Sequence, residues 1–163
     1  MRRRAFIALL ALMACHADSP TTANRAWYFR ASVDGVPFEA HEASYALSAN
    51  SSRMQINGVR SAATGSRLLT VTLNWKGTGS YSLDAPRDAS SFGAMYDLYV
   101  QDSNTGMWST QSNAAGTAIV TELDAKTHWV AGTFSFTALH PSGVLGSTQV
   151  TSGRFGGYYV VEP

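Results

Sequence analysis

From Ala26 onward, apolar and polar residues alternate with a period of two, and clusters of Gly, Asn, Asp and Ser interrupt the alternation at short intervals. Helical stripes are nearly absent. Trp27, Phe29, Ala31 and Val33 interleave with Tyr28, Arg30 and Ser32, and the run then meets Asp34-Gly35, a pair suited to the positive φ angles of a type I′ turn. A two-residue turn fixes the register of the return strand. Val33 then faces Val36, Ala31 faces Phe38 and Phe29 faces Ala40 on one side, with Arg30 opposite Glu39 on the other. Pro37 falls opposite Ser32, where its missing amide points away from the partner, so this strand is expected to run along a sheet edge.

The same logic predicts strands at Ser44 to Leu47, Met54 to Arg60, Leu68 to Trp75, Gly79 to Leu83, Met95 to Gln101, Thr117 to Leu123, Thr127 to Thr137 and Gln149 to Val160. Leu69, Val71, Leu73 and Trp75 share one face and Thr70, Thr72 and Asn74 the other, the pattern of a sheet with one wet side. A three-residue loop, Asp124-Ala125-Lys126, would set Val120 opposite Val130 and His128 near Glu122; a four-residue loop would shift both. About nine or ten short antiparallel strands define an all-β fold, either a β-sandwich or a partly closed barrel.

The first residues follow a different rule. After Arg2, Arg3 and Arg4, the uncharged run Ala5 to Ala14 ends at Cys15, the only cysteine. Ten helical residues cover about 15 Å, half of a hydrocarbon core of about 30 Å, so the run is too short to span a membrane and reads as the apolar part of a signal peptide. Its ending, Leu12-Met13-Ala14-Cys15, resembles the bacterial lipobox, in which the cysteine accepts the lipid. Three segments follow: residues 1–14 as signal peptide, 15–25 as a lipidated flexible tether, and 26–163 as a single all-β domain. A lone thiol forms no disulfide within the chain, so the fold must be stable without one.

Losing the three arginines leaves nine basic residues against eleven acidic, a net charge near −2. Arg53, Arg60, Arg67 and Arg87 are dispersed and lysine occurs only at 76 and 126, so there is no basic stripe and no nucleic acid is expected as a partner.

Three motifs carry a family resemblance. Trp27-x-Phe29-x-Ala31-x-Val33-Asp34-Gly35-x-Pro37-Phe38, Gly132-Thr133-Phe134-Ser135-Phe136 and Thr151-x-Gly153-x-Phe155, in this order, are similar to those of small bacterial lipoproteins grouped as a domain of unknown function. The resemblance implies Cys15 as the lipidation site and a bacterial cell-envelope location. With His16 rather than aspartate after the cysteine, the sorting rule of enteric bacteria implies the outer membrane, facing the periplasm or, alternatively, the cell surface. It transfers no active site.

Catalytic constellations are scarce. His16, His41, His128 and His140 lack the helical spacing of a zinc protease motif, and His41-Glu42 reads as an exposed strand end. There is no Gly-x-Ser-x-Gly elbow, Gly77-x-Gly79 is too short to cradle phosphate, and no motif calls for a cofactor or metal. Asp102-Ser103-Asn104-Thr105-Gly106 opens like a calcium loop, but Met107 and Asn113 stand where that loop needs glycine and glutamate, so a polar hairpin loop is expected. Trp27, Phe29, Phe38, Trp75, Phe134 and Phe136 are assigned to the core. Tyr28, Tyr99, Trp108, Trp129 and Tyr159 fall on opposite faces or in loops, which makes Tyr99, Trp108 and Trp129 candidates for ligand binding. The expected function is that of a membrane-anchored, non-enzymatic domain binding an envelope protein or a small ligand. The alternative is a hydrolase-type enzyme using dispersed acidic and histidine residues.

Overall fold

The computed structural model describes residues 25–50, 52–63, 65–83, 93–100, 103–110, 116–142 and 145–163. Twelve strands follow in chain order: β1 Tyr28–Val33, β2 Val36–Glu39, β3 Glu42–Ser48, β4 Arg53–Ala62, β5 Gly65–Asn74, β6 Gly79–Ser82, β7 Gly93–Val100, β8 Ser103–Ser109, β9 Gly116–Asp124, β10 Trp129–Leu139, β11 Ser147–Tyr158 and β12 Val160–Glu162. They form a β-sandwich. One sheet runs β12-β3-β4-β5-β7-β8 and the other β6-β9-β10-β11-β1-β2, antiparallel throughout except for the parallel pair β12 and β3. The ladder is open between β12 and β2, so it does not close into a barrel. Among the described residues, the sheets join along one side, where Leu139 of β10 pairs with Ser109 of β8.

On the other side the chain changes sheets twice, each time within one or two residues. Ala40 N–H donates to the Phe29 carbonyl of β1 at 2.9 Å, and the next amide, His41 N–H, donates to the Val59 carbonyl of β4 at 2.8 Å. The second crossing is at Tyr159, whose N–H donates to the His128 carbonyl before β12 pairs with β3. The predicted strand from Gln149 to Val160 is therefore two strands in different sheets.

The opening hairpin has the predicted register, with Val33 opposite Val36, Ala31 opposite Phe38 and Pro37 opposite Ser32. Asp34 and Gly35 both take positive φ, 50° and 80°, as a type I′ turn demands. β2 ends the ladder, which is where proline costs no hydrogen bond. The second hairpin departs from the three-residue expectation. Its turn holds four residues, so Trp129 pairs with Asp124 and, after a bulge, Val120 pairs with Gly132. The Asp124 carboxylate fixes this turn by accepting the Lys126 and Thr127 amides at 2.9 and 3.3 Å, and the Thr127 hydroxyl, followed by these two amides, holds it below the usual carboxylate range.

Period-two alternation delivers the core. Phe29, Phe38, Phe134, Phe136 and Phe155 from the second sheet meet Tyr45, Met54, Ile56, Leu69, Val71 and Leu73 from the first, all buried. Phe29 and Phe134 rings lie 5.2 Å apart, and Phe29 and Phe38 pack edge to face at 6.1 Å. Two rings cross between the sheets onto glycine. Phe29 covers Gly58 of β4 and Tyr45 of β3 covers Gly157 of β11, and a Cβ at either glycine would collide with the ring. The Tyr45 hydroxyl lies 2.9 Å from the Tyr28 carbonyl and 3.1 Å from that of Gly156, so it donates into the facing sheet.

Three further expectations change. Trp27, assigned to the core, is exposed, because it precedes β1 and lies beyond the last paired residue, Tyr28. Thr70 and Thr72, assigned to a wet face, are buried although they lie opposite the core. Asp102 to Gly106, read as a loop, overlaps β8, which begins at Ser103; Asp102 itself lies outside the described residues.

Gly58→Ala is expected to destabilise the fold by about 1–3 kcal/mol through overpacking against Phe29, measured by urea unfolding. Tyr45→Phe should cost about 1–3 kcal/mol near neutral pH. Burial pushes the Tyr45 phenol above its ordinary value, so the folded state keeps its proton when the unfolded state loses it. Stability is therefore intact below about pH 10 and falls above it, and the gap between wild type and Tyr45→Phe should narrow there.

Candidate functional site

The outer face of the first sheet carries a cleft of about 370 Å³ lined by Ser44, Tyr45, Ala46, Ser48, Arg53, Gln55, Asn57, Val160 and Glu162. Strand alternation places these side chains. Met54 and Ile56 point into the core, so Arg53, Gln55 and Asn57 project from the opposite face of β4. Cross-strand register brings their neighbours alongside: Asn57 faces Ser44, Gln55 faces Ala46 and Arg53 faces Ser48. β12 adds one wall, with Val160 beside Ala46 and Glu162 beside Ser48.

A hydrogen-bonded ladder fixes the floor. Arg53 Nη2 donates to Gln55 Oε1 at 3.2 Å, and Gln55 Nε2 donates to Asn57 Oδ1 at 3.2 Å. Thr70 Oγ1 donates to the same Asn57 oxygen at 2.9 Å, while Asn57 Nδ2 donates to Ser44 Oγ at 3.0 Å. Asn57 is thus the hub, its carbonyl accepting two bonds while its amide orients a third partner. Each amide has two N–H groups and uses one within the ladder, so the floor presents oriented donors and acceptors. Across the cleft mouth Arg53 and Glu162 place one cation and one carboxylate in neighbouring rows, with Ser48 between them in register.

Of the aromatic candidates, Trp108 and Trp129 lie on strands of different sheets. Trp108 packs against the core, with its ring 5.4 Å from that of His140. Trp129 is buried on the outer face of the second sheet, under the Arg25 guanidinium at 5.4 Å and beside Tyr158 at 5.1 Å. Tyr99 lies on β7, and its side chain is outside the described residues. Tyr159 is a core residue stacked on His128 at 5.0 Å. His128 sits in the β9–β10 turn with φ 58°, and Glu122 bonds Arg25 instead, at 2.7 Å. His41 and Glu42 are exposed where β3 begins. Cys15 lies outside the described residues. Among the described residues, no cluster of three or more His, Cys, Asp or Glu is arranged to hold a metal ion.

The polar ladder left a signal that aromatic content overshadowed: Arg53, Gln55 and Asn57 are three consecutive outward positions on one strand, facing Ser44 and Ser48. Residues 26–157 match DUF6252, a domain of unknown function. The chain belongs to this family. No curated protein and no solved structure matches it. The DUF6252 region contains β1 through most of β11, so it includes Ser44 and the β4 ladder while β12 lies beyond it. The opening, middle and closing motifs read from the sequence all fall within this region.

The hub makes a direct prediction. Asn57→Ala leaves the buried Thr70 hydroxyl and the Gln55 amide without their acceptor and should cost about 1–3 kcal/mol, whereas Ser44→Ala, at an exposed position, should cost under about 0.5 kcal/mol in the same urea titration.

Proposed function

We propose that this DUF6252 protein is an exported lipoprotein, anchored to the bacterial outer membrane through Cys15, whose β-domain is a non-enzymatic binding module. The ladder in the cleft carries this reading. Its lining supplies two amides, two serine hydroxyls, a guanidinium and a carboxylate, a set suited to holding a ligand by many hydrogen bonds. General acid–base chemistry on an acyl or glycosyl bond would instead draw on two converging titratable groups of suitable pKa. The ligand class that fits combines hydroxyls, amides and carboxylate, the last paired with Arg53. Fragments of the cell-wall polymer have this chemistry and are at hand in the periplasm.

The N-terminal sequence supports the anchor independently, because the apolar run ends at the only cysteine in lipobox order. Two or three acyl chains, each methylene contributing about 0.8 kcal/mol, make such a tether stable where a single chain binds only marginally.

Two experiments test the two halves of this reading. Cys15→Ser, expressed in a bacterial host and fractionated, is expected to move the protein from the membrane to the soluble fraction; unchanged retention refutes lipidation as the anchor. Titration calorimetry with soluble peptidoglycan fragments should show binding that weakens tenfold or more in Arg53→Ala and Gln55→Ala, and equal affinity in wild type and both variants removes the cleft as the site.

A further inference from the structure

The face opposite the cleft has a different chemistry. On the outer side of the second sheet, Tyr28 of β1 lies across from Gly156 of β11, and Tyr158 of β11 lies across from Trp129 of β10. Trp27 immediately precedes this row. Trp27, Tyr158 and Tyr28 are 46%, 42% and 37% exposed, three large aromatic side chains open to solvent at one end of this sheet. Arg30 extends over the Tyr28 ring at 5.9 Å, and Arg154 is directly opposite Arg30 in the β1–β11 register. Like charges at opposed positions repel, and Glu39, across from Arg30 on β2, offsets only one of them. An anion between the two guanidinium groups would relieve that repulsion.

The chain enters the fold on this same face. Arg25, the first described residue, has its guanidinium over Trp129 and an ion pair to Glu122 on β9, so it lies at the end where Trp27, Tyr28 and Tyr158 are exposed. From Cys15 to Arg25 is ten residues, at most about 35 Å of extended chain.

We propose that this face lies on the membrane surface, with Trp27, Tyr28 and Tyr158 entering the interfacial zone and Arg30 and Arg154 binding lipid phosphate. The inference rests on the reading of Cys15 as a lipid anchor, which supplies the proximity. Tryptophan and tyrosine suit this depth because each has an apolar ring and a polar tip. A lipid surface also accepts the paired arginines, since anionic headgroups contribute roughly 1 kcal/mol per basic residue near the surface. The cleft, on the outer side of the other sheet, then opens away from the membrane.

The test uses the single thiol. The chain from Cys15 onward, which keeps every described residue, is coupled through Cys15 to a maleimide lipid in phosphatidylethanolamine–phosphatidylglycerol vesicles, with or without brominated acyl chains. Quenching by brominated lipid should be at least twofold greater in wild type than in Trp27→Phe, and Arg30→Glu with Arg154→Glu should abolish that difference. Equal quenching in wild type and Trp27→Phe overturns the proposal, as does a difference unaffected by charge reversal. A photoreactive benzophenone residue at position 27 that crosslinks to an envelope protein instead of lipid also overturns it. Chemical coupling supplies the tether whether or not the cell lipidates Cys15, so failure here is distinct from failure of the anchor, which fractionation of Cys15→Ser reads separately.

Discussion

Two aromatic rings cross the sandwich in opposite directions and lie on glycines of the facing sheet. Phe29 leaves β1 to cover Gly58 on β4, and Tyr45 leaves β3 to cover Gly157 on β11. This exchange sets how closely the sheets approach, because a ring fits where the facing residue has no side chain. Tyr45 adds direction to the contact, since its hydroxyl is within bonding distance of the Tyr28 and Gly156 carbonyls and so fixes β3 against β1 and β11. The remaining core fills around these fixed points. Phe134 and Phe38 pack against Phe29, and the aliphatic residues of β4 and β5 close the other side.

Outside the packed interior, the two outer faces of the sandwich differ in chemistry. The first sheet has amides, hydroxyls and a hydrogen-bonded ladder centred on Asn57. The second has exposed aromatic rings and paired arginines beside the point where the chain enters. Both patterns follow from the outward half of the strand alternation. The inward residues specify a sandwich, and the outward residues are left to distinguish one side of it from the other.

The parts of the fold legible in the sequence were those governed by local rules. Asp34-Gly35 determines its turn, the turn determines the register, and the Ala31–Phe38 and Arg30–Glu39 pairs follow. Where a boundary depended on tertiary contacts, sequence was insufficient. The four-residue turn before Trp129 depends on Asp124 capping two amides, and the division of β11 from β12 depends on Tyr159 bonding to the His128 carbonyl. Asp102 to Gly106 reads as a loop in sequence, with the poor strand formers Asn104 and Gly106, yet β7 supplies a pairing edge for β8 from Ser103 on. The candidate site was legible as a row of polar positions on β4, though not as a cleft, since the wall from β12 comes from the far end of the chain. For the ligand-binding candidates Trp129 and Trp108, alternation gives the face of each residue without saying what covers it.

The position of β1 has a consequence for the order of assembly. It lies between β2, its immediate neighbour in sequence, and β11, whose Phe155 pairs with Phe29. Local hairpins such as β1–β2 and β4–β5 can form as soon as they are made, but the second sheet lacks an inner seam until nearly the whole chain is present. Closing loops of that length is slow and places such topologies toward the millisecond-to-second end of folding rates. For a chain that crosses a membrane before it folds, as the exported reading requires, this delay is useful: the second sheet closes only after β11 has arrived.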